Sequence, residues 1–253
     1  GMEGAVAMSA MAALKSGAGL VTVVAINETT ELLRQRMPIL TPEIMISSIK
    51  VDDKTGSELM DDFKKFNSVV IGPGFGKKRK TVLKKILEHV ELPLVIDADA
   101  LNLISDNPDI FDIVKGKDAI LTPHPGEMSR MLPEIKDVQD HRLRALEKYV
   151  KGQKFCLLLK GYRSMLGRGD GHVLINYTGN PSLSKGGSGD VLSGLIASFN
   201  AQGLEIWKAG ALGMYIHGLC ADRLVMEDKN SDFGILPTDI INELGPVIKC
   251  LTE

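Results

Sequence analysis

Two hydrophobic rhythms run along this chain. From Ser57 to Leu159, short apolar runs alternate with helical stretches. A helix to Phe66 precedes a strand at Ser68–Ile71, and a helix at Lys78–His89 precedes one at Leu92–Ile96. Helical material to Lys115 leads into strand Ala119–Leu121, and a helix over Val138–Lys151 leads into strand Phe155–Leu159. Strands alternating with helices through short links predict a parallel α/β sheet, and right-handed crossovers place its helices on both faces. Upstream, Ala5–Ser16 is an alanine- and methionine-rich helix stopped by Gly17 and Gly19. The run GLVTVVA at Gly19–Ala25 lacks alternation, as a strand covered on both sides does. A helix beginning at Asn27 or Thr29 and ending at Met37, then a weak strand at Pro42–Ser47, complete this part.

The second rhythm begins at Lys160. Two short strands, Ser164–Gly167 and His172–Ile175, flank RGDG and predict an antiparallel hairpin appended to the parallel sheet. The remainder is helical: a stretch opening after the glycine-rich loop, a long apolar helix over Glu205–Asp228, and a last helix from Pro237 with Asp239 in its first turn. No repeat, linker or composition break interrupts residues 1–253, so one α/β domain is expected.

Composition narrows the function. The 253 residues are 44% hydrophobic, enough for a sizeable core, and the formal net charge of −2 leaves no global basic field to attract nucleic acid. Every apolar run is broken well before eighteen residues, which argues against a membrane span. The first 23 residues carry Glu3 and Lys15 and read as helix and strand rather than as a signal peptide. Cys156, Cys220 and Cys250 are widely spaced, and the first two lie in apolar runs. Unpaired thiols suit a reducing compartment, hence a cytoplasmic protein.

The chemistry concentrates in GNPSLSKGGSGDVLSG at Gly179–Gly194, where a polar glycine-rich turn enters an apolar helix. Glycines 186, 187 and 189 are expected to adopt dihedrals closed to other residues and to point free amides from a helix start, an anion hole. Asp190 places a carboxylate beside that hole and is the candidate base; an N-cap at Ser188 or Asp190 is the structural alternative. Other polar pieces follow predicted strands: GPGFG at Gly72–Gly76, DADALN at Asp97–Asn102, TPHPGE at Thr122–Glu127, and KGYRS at Lys160–Ser164. Ligands of open parallel sheets bind beyond the carboxyl ends of the strands.

Asp97 and Asp99 can cap the next helix, and Asn102 can orient a loop or ligand. The run Lys77–Lys80 reads as solvated surface or as a neighbour of phosphate. His124, between two prolines, is a candidate ligand contact. Glu127 can reach a divalent cation or cap the helix it begins, and Lys160 is costly to bury without a partner such as phosphate. No GK[ST] follows the glycines and the loop opens no first βαβ unit, so neither a P-loop nor a dinucleotide fingerprint is present. An anion hole, a carboxylate, a lysine and a magnesium-type acid point to phosphoryl transfer from a nucleotide to a hydroxyl.

These motifs, together with GAVAMSAMAALKSGAGLVTV at the start, resemble the ADP/ATP-dependent NAD(P)H-hydrate dehydratases of the ribokinase-like superfamily. The resemblance runs from Gly4 to the last helix. It implies a ribokinase-like three-layer sandwich, a homo-oligomer (a tetramer), ADP or ATP as co-substrate, Mg²⁺, and hydrated NADH or NADPH as substrate. Phosphorylation of the ring hydroxyl and elimination of phosphate would restore the dihydronicotinamide. By the same resemblance Asp190 is the base, Gly186, Gly187, Ser188 and Gly189 form the anion hole, and Lys160, Gly161, Tyr162, Arg163, Ser164 and Gly189 bind nucleotide. Ala5, Gly76, His124 and Asp190 meet the substrate, and Glu127 corresponds to a magnesium-linked acid. Two departures stand out. Lys185 is expected to bring charge near the phosphates. The family also has a strand and a glycine turn before the stretch matching Gly4, so an internal strand is expected to be absent and its neighbours' edges exposed. A vitamin or sugar kinase and a non-catalytic nucleotide-binding protein are the rival readings.

Overall fold

The computed structural model describes residues 3–27, 29–52, 55–56, 59–227 and 231–253. Helix α1 (Glu3–Lys15) leads to β1 (Thr22–Ile26), α2 (Thr29–Leu40), β2 (Met45–Ile49), α3 (Leu59–Phe63) and β3 (Val69–Ile71). Then come α4 (Lys80–His89), β4 (Leu94–Ile96), α5 (Ala98–Asp106), α6 (Pro108–Val114), β5 (Ala119–Leu121), α7 (Pro125–Met131), α8 (Arg142–Val150) and β6 (Cys156–Leu159). The hairpin strands are β7 (Met165–Gly167) and β8 (Val173–Ile175). A 3-10 turn at Pro181–Ser184 precedes α9 (Ser188–Ala201), α10 (Ile206–Met226) and α11 (Pro237–Thr252).

Strands β3 to β8 form one sheet in chain order, parallel through β6 and antiparallel from β6 to β8. Side chains alternate between its faces, which explains why the strands themselves are uniformly apolar. Leu94, Ile96, Leu121, Leu157 and Leu159 enter the core beneath α4 to α8. Val95, Ile120, Cys156 and Leu158 enter the opposite core, beneath α9, α10 and α11. Three layers result, with the hairpin at one edge. Burial pushes the Cys156 and Cys220 thiols up to about 12, so both are inert apolar fillers.

Strands β1 and β2 form a separate parallel pair. The expected two-sided cover of the first strand is therefore incomplete, and Thr22 and Val24 are only partly buried. The weak strand near Pro42 is real but begins at Met45, because it takes its register from β1. Between β1 and β3 lies a cavity of about 930 Å³, lined by residues of both strands and by Ala10, Ala13 and Gln202.

Several boundaries differ from expectation. Helix α3 is only one turn and a fraction, and the expected start at Ser57 lies outside the described residues, as does Asp228 at the far end of α10. Asn107 divides α5 from α6, and Pro108 opens the second at a favoured first-turn position. The helix expected from Val138 begins at Arg142, after backbone turns at Asp137–His141. TPHPGE contains the start of α7.

The small residues of α1 and α10 have an internal explanation. A Cβ at Gly194 would lie 1.9 Å from the Ser9 carbonyl, so α1 and α9 meet backbone to backbone. Gly213 similarly receives Ile196, and Gly218 receives Thr178.

Candidate active site

The ladder of backbone hydrogen bonds continues one step past the strands and gathers the polar motifs at one edge. Asp97 donates its amide to Ile71 O at 3.0 Å, Thr122 to Ile96 O at 3.0 Å, and Lys160 to Pro123 O at 2.9 Å. Gly72, at φ +133, lies directly beneath Asp97, and a Cβ there would be 1.7 Å from the Asp97 carbonyl. Gly76 donates its amide to Asp99 Oδ2 at 3.0 Å, which ties GPGFG to DADALN. Asn102 accepts from Arg130 Nε and Nη2 at 3.1 and 2.8 Å, so it orients a side chain of α7.

The anion loop is built differently from its sequence reading. Gly187, at φ +98, is the N-cap of α9 and no side chain caps the helix, so neither Ser188 nor Asp190 takes the capping role. Of the three glycines only Gly187 requires a left-handed backbone. Gly186 has open space around it, and Gly189 is small because Lys160 Nζ would stand 3.0 Å from a Cβ there. The amides of Gly186, Gly187 and Gly189 meet no acceptor among the described residues. Ser188 departs from the expected hole. Its amide donates to Lys185 O at 3.2 Å, and its hydroxyl is 3.2 Å from His217 Nε2. Burial, seconded by Lys160, pulls His217 down to about 4, so the imidazole is neutral.

Lys185 ties the loop to a distant segment. Its ammonium donates to the carbonyls of Phe233 and Ile235 and pins that segment to the loop.

Asp97 unites the site. Its carboxylate caps α5 through Ala98 N at 2.8 Å, accepts from Lys160 Nζ at 2.8 Å and accepts from Ser193 Oγ at 2.6 Å, while 1% exposed. The end of β4, the end of β6 and the first turns of α9 thus share one buried ion pair. Burial first, then the charge of Asp97, raises Asp190 to about 6, with Lys160 opposing. An aspartate near 6 is still a carboxylate at neutral pH and is a stronger base than a free one. Sequence reasoning found Asp97 only as a cap and missed Ser193, His217 and Arg142. An aspartate ending a wholly apolar strand was the available signal for the first; Ser193 and His217, isolated polar residues inside apolar helices, offered none, nor did Arg142, one of several charged residues opening α8.

The remaining candidates are placed around this centre. His124 caps α7: its Nδ1 accepts from Gly126 and Glu127 at 3.0 and 3.2 Å, while the side chain stays half-exposed. Glu127, 6% exposed, accepts from His124 N through Oε2 at 2.9 Å, so its capping alternative is realised; Oε1 meets no donor among the described residues. Gly161, Tyr162, Arg163 and Ser164 form the turn after β6, with Arg163 over the exposed rings of Tyr162 and Tyr177. Ala5 lies one turn before Met8, whose Cε would be 2.5 Å from a Cβ at Gly187. Lys80, from the basic run, pairs with Asp109.

Among the described residues no group of three or more His, Cys, Asp and Glu could hold a metal unaided. Magnesium ordinarily needs only one or two carboxylates when phosphates supply the rest, and a buried Glu127 with one open oxygen fits that requirement.

A family model described as NAD(P)H-hydrate dehydratase matches residues 1–245. The chain belongs to the NAD(P)H-hydrate dehydratase family. It is 36% identical over its whole length to a bifunctional NAD(P)H-hydrate repair enzyme Nnr of Moorella thermoacetica, of which the match covers 48%. It is 34% identical, over 95% of its length and 79% of the relative, to the ADP-dependent (S)-NAD(P)H-hydrate dehydratase of Neisseria meningitidis serogroup B. The chain spans about half the length of the bifunctional relatives it matches. An ADP/ATP-dependent NAD(P)H-hydrate dehydratase from Bacillus subtilis, co-crystallized with ATP/Mg²⁺, superposes with a TM-score of 0.79 at 25% identity, over 98% of this chain and 85% of that one. The ribokinase-like sandwich also recurs in a hydroxyethylthiazole kinase from Pyrococcus horikoshii, TM-score 0.61 at 18% identity, a likeness of fold alone.

Proposed function

We propose that this protein dehydrates hydrated NADH or NADPH with ADP or ATP as co-substrate. The observation that carries this reading is the meeting of Asp190, the open amides of Gly186, Gly187 and Gly189, and the Lys160–Asp97 pair at one sheet edge, in a member of this family. The amides receive phosphate oxygens at the positive end of α9. Lys160 supplies a compensating cation, and Gly161, Tyr162, Arg163 and Ser164 hold the nucleotide. Ser188 contributes by shaping the loop through His217 rather than by its amide. Ala5, Gly76 and His124 meet the dinucleotide. Mg²⁺ would be held by Glu127 together with nucleotide phosphates, and it supplies charge neutralisation there.

Asp190 takes the proton of the ring hydroxyl as the oxygen forms its bond to phosphorus and the nucleotide's P–O bond breaks. Loss of phosphate then breaks the ring C–O bond while the adjacent carbon releases a proton, which restores the C=C bond. We read residues 1–253 as one domain working as a homo-oligomer, a tetramer, in the cytoplasm. Among the described residues no helix is long and apolar enough to cross a membrane.

The test is incubation of hydrated NADH with ADP or ATP and Mg²⁺. Recovery of the dihydronicotinamide absorbance with equimolar phosphate release is expected. Accumulation of a phosphorylated product without that recovery would make the protein a small-molecule kinase instead.

A further inference from the structure

The Lys160–Ser164 turn is folded around a guanidinium that no motif announced. Arg142, the first residue of α8, is 8% exposed. It donates to the carbonyls of Tyr162, of Leu159 at 3.1 Å, of Arg163 at 3.4 Å and of Lys160 at 3.5 Å. Among the described residues no carboxylate pairs with it. Burial accordingly pulls its pKa below the usual arginine value. A buried charge without a counter-ion is costly unless hydrogen bonds replace its hydration. Here the replacement is four carbonyls, that of Leu159 at the end of β6 and three from the turn after it, all on the two terminal nitrogens, while Nε is buried without a partner.

The turn in its own conformation has been shaped to the guanidinium. Gly161 is at φ +138, and a Cβ there would stand 3.3 Å from Arg142 Cζ and Nη2. Arg163 is at φ +53, strained for a residue with a side chain. A planar fork of five donors can span acceptors on several successive residues, whereas a lysine ammonium is a single point. Lys160 is therefore fixed from two sides. Arg142 holds its carbonyl, and Asp97 holds its ammonium beside Gly189.

We propose that Arg142 is a positioning residue that presents the Lys160–Ser164 turn to the nucleotide. The proposal rests on that turn being the nucleotide segment, so its test has one arm that needs no nucleotide. In the ligand-free protein, Arg142→Gln should speed tryptic cleavage after Lys160 and Arg163 about ten-fold or more through local opening, with cleavage elsewhere unchanged. In turnover, KM for ADP or ATP should rise about ten-fold while KM for the hydrated dinucleotide stays within about two-fold. Arg142→Lys should fall between wild type and Arg142→Gln in both arms.

Should Arg142→Gln fail to fold, Gly161→Ala, which pushes the turn off an intact guanidinium, carries the same measurements. Unchanged cleavage at the turn overturns the proposal, and so does an equal rise in both KM values, the mark of a merely structural strut. A loosened turn in a protein whose wild type binds no nucleotide supports the positioning and overturns the functional reading alone.

Discussion

The two glycine-rich segments, Gly72–Gly76 and Gly186–Gly189, look alike as strings and are built on opposite physical grounds. In the first, glycines 72, 74 and 76 all have positive φ, and Gly72 also lets the Asp97 carbonyl approach. In the second, only Gly187 does; Gly189 is ordinary helix whose missing Cβ leaves room for Lys160. The first segment spends glycine on conformation and backbone contact, the second largely on access for a charged group. A glycine count therefore identifies a place where something comes close, and the neighbour decides whether that something is backbone, side chain or ligand.

The largest expected effect lies beside the second loop. Asp190→Asn should lower kcat by ~10²–10⁴-fold, the usual worth of a general base, and leave nucleotide affinity largely intact. The same substitution should raise the melting temperature. The folded pKa of Asp190 exceeds its unfolded value of 3.8, so the folded state holds its proton more tightly, and the stability this confers is lost as pH rises through about 6. Removing the charge restores on the order of 1–2 kcal/mol at neutral pH, after allowance for the partly exposed carboxylate. Near-wild-type turnover by a folded Asp190→Asn protein would move the base elsewhere, with His124 next in line.

Gly72→Ala should be nearly as damaging for a different reason. It forces a Cβ into the Asp97 carbonyl and strains the backbone, destabilising the fold by about 2–4 kcal/mol in denaturant titration. The comparison breaks if this variant melts like wild type.

The pH profile sharpens the second loop further. The rate should climb with pH through an acid limb near 6 as Asp190 loses its proton. In Asp97→Asn the second cause of that elevation disappears, and the limb should move to lower pH. A limb that stays in place would remove Asp97 as an electrostatic neighbour of the base.

The smallest effects discriminate the glycines of one loop. Gly189→Ala should weaken nucleotide binding about ten-fold by displacing Lys160, and lower stability modestly, because the helix-favouring alanine offsets only part of the cost of disturbing the Lys160–Asp97 pair. Gly186→Ala, facing open space, should change stability by less than about 0.5 kcal/mol. Equal effects at both positions in calorimetric titration would erase the distinction between a glycine kept for access and one kept for little.

The parallel core was legible because its forces are local. Runs such as LVI and CLLL have no face for water, and the helices between them repeat at their own period. The hairpin declared itself through RGDG, and the position of Asp190 in the first turn of α9 through the glycines before it. Asp97 carried a legible cap and an illegible second function, because its partners Lys160 and Ser193 are 63 and 96 positions away. Lys185 shows the mirror image, a local position with distant partners. Its position in sequence is beside the anion loop, but its long side chain reaches carbonyls about fifty positions on.

By itself the sequence determined most of the strands and helices and where polar, glycine-rich segments interrupt them. Those properties follow from near-neighbour sterics, hydrophobic period and residue type. Only the tertiary structure decided that β1 and β2 stand apart from the main sheet, that Ser188 turns to His217, and that Arg142 shapes the turn after β6. Each of these is a contact between distant segments. Its free energy depends on burial and on which acceptors the folded backbone leaves open, and neither exists until the chain has closed around it.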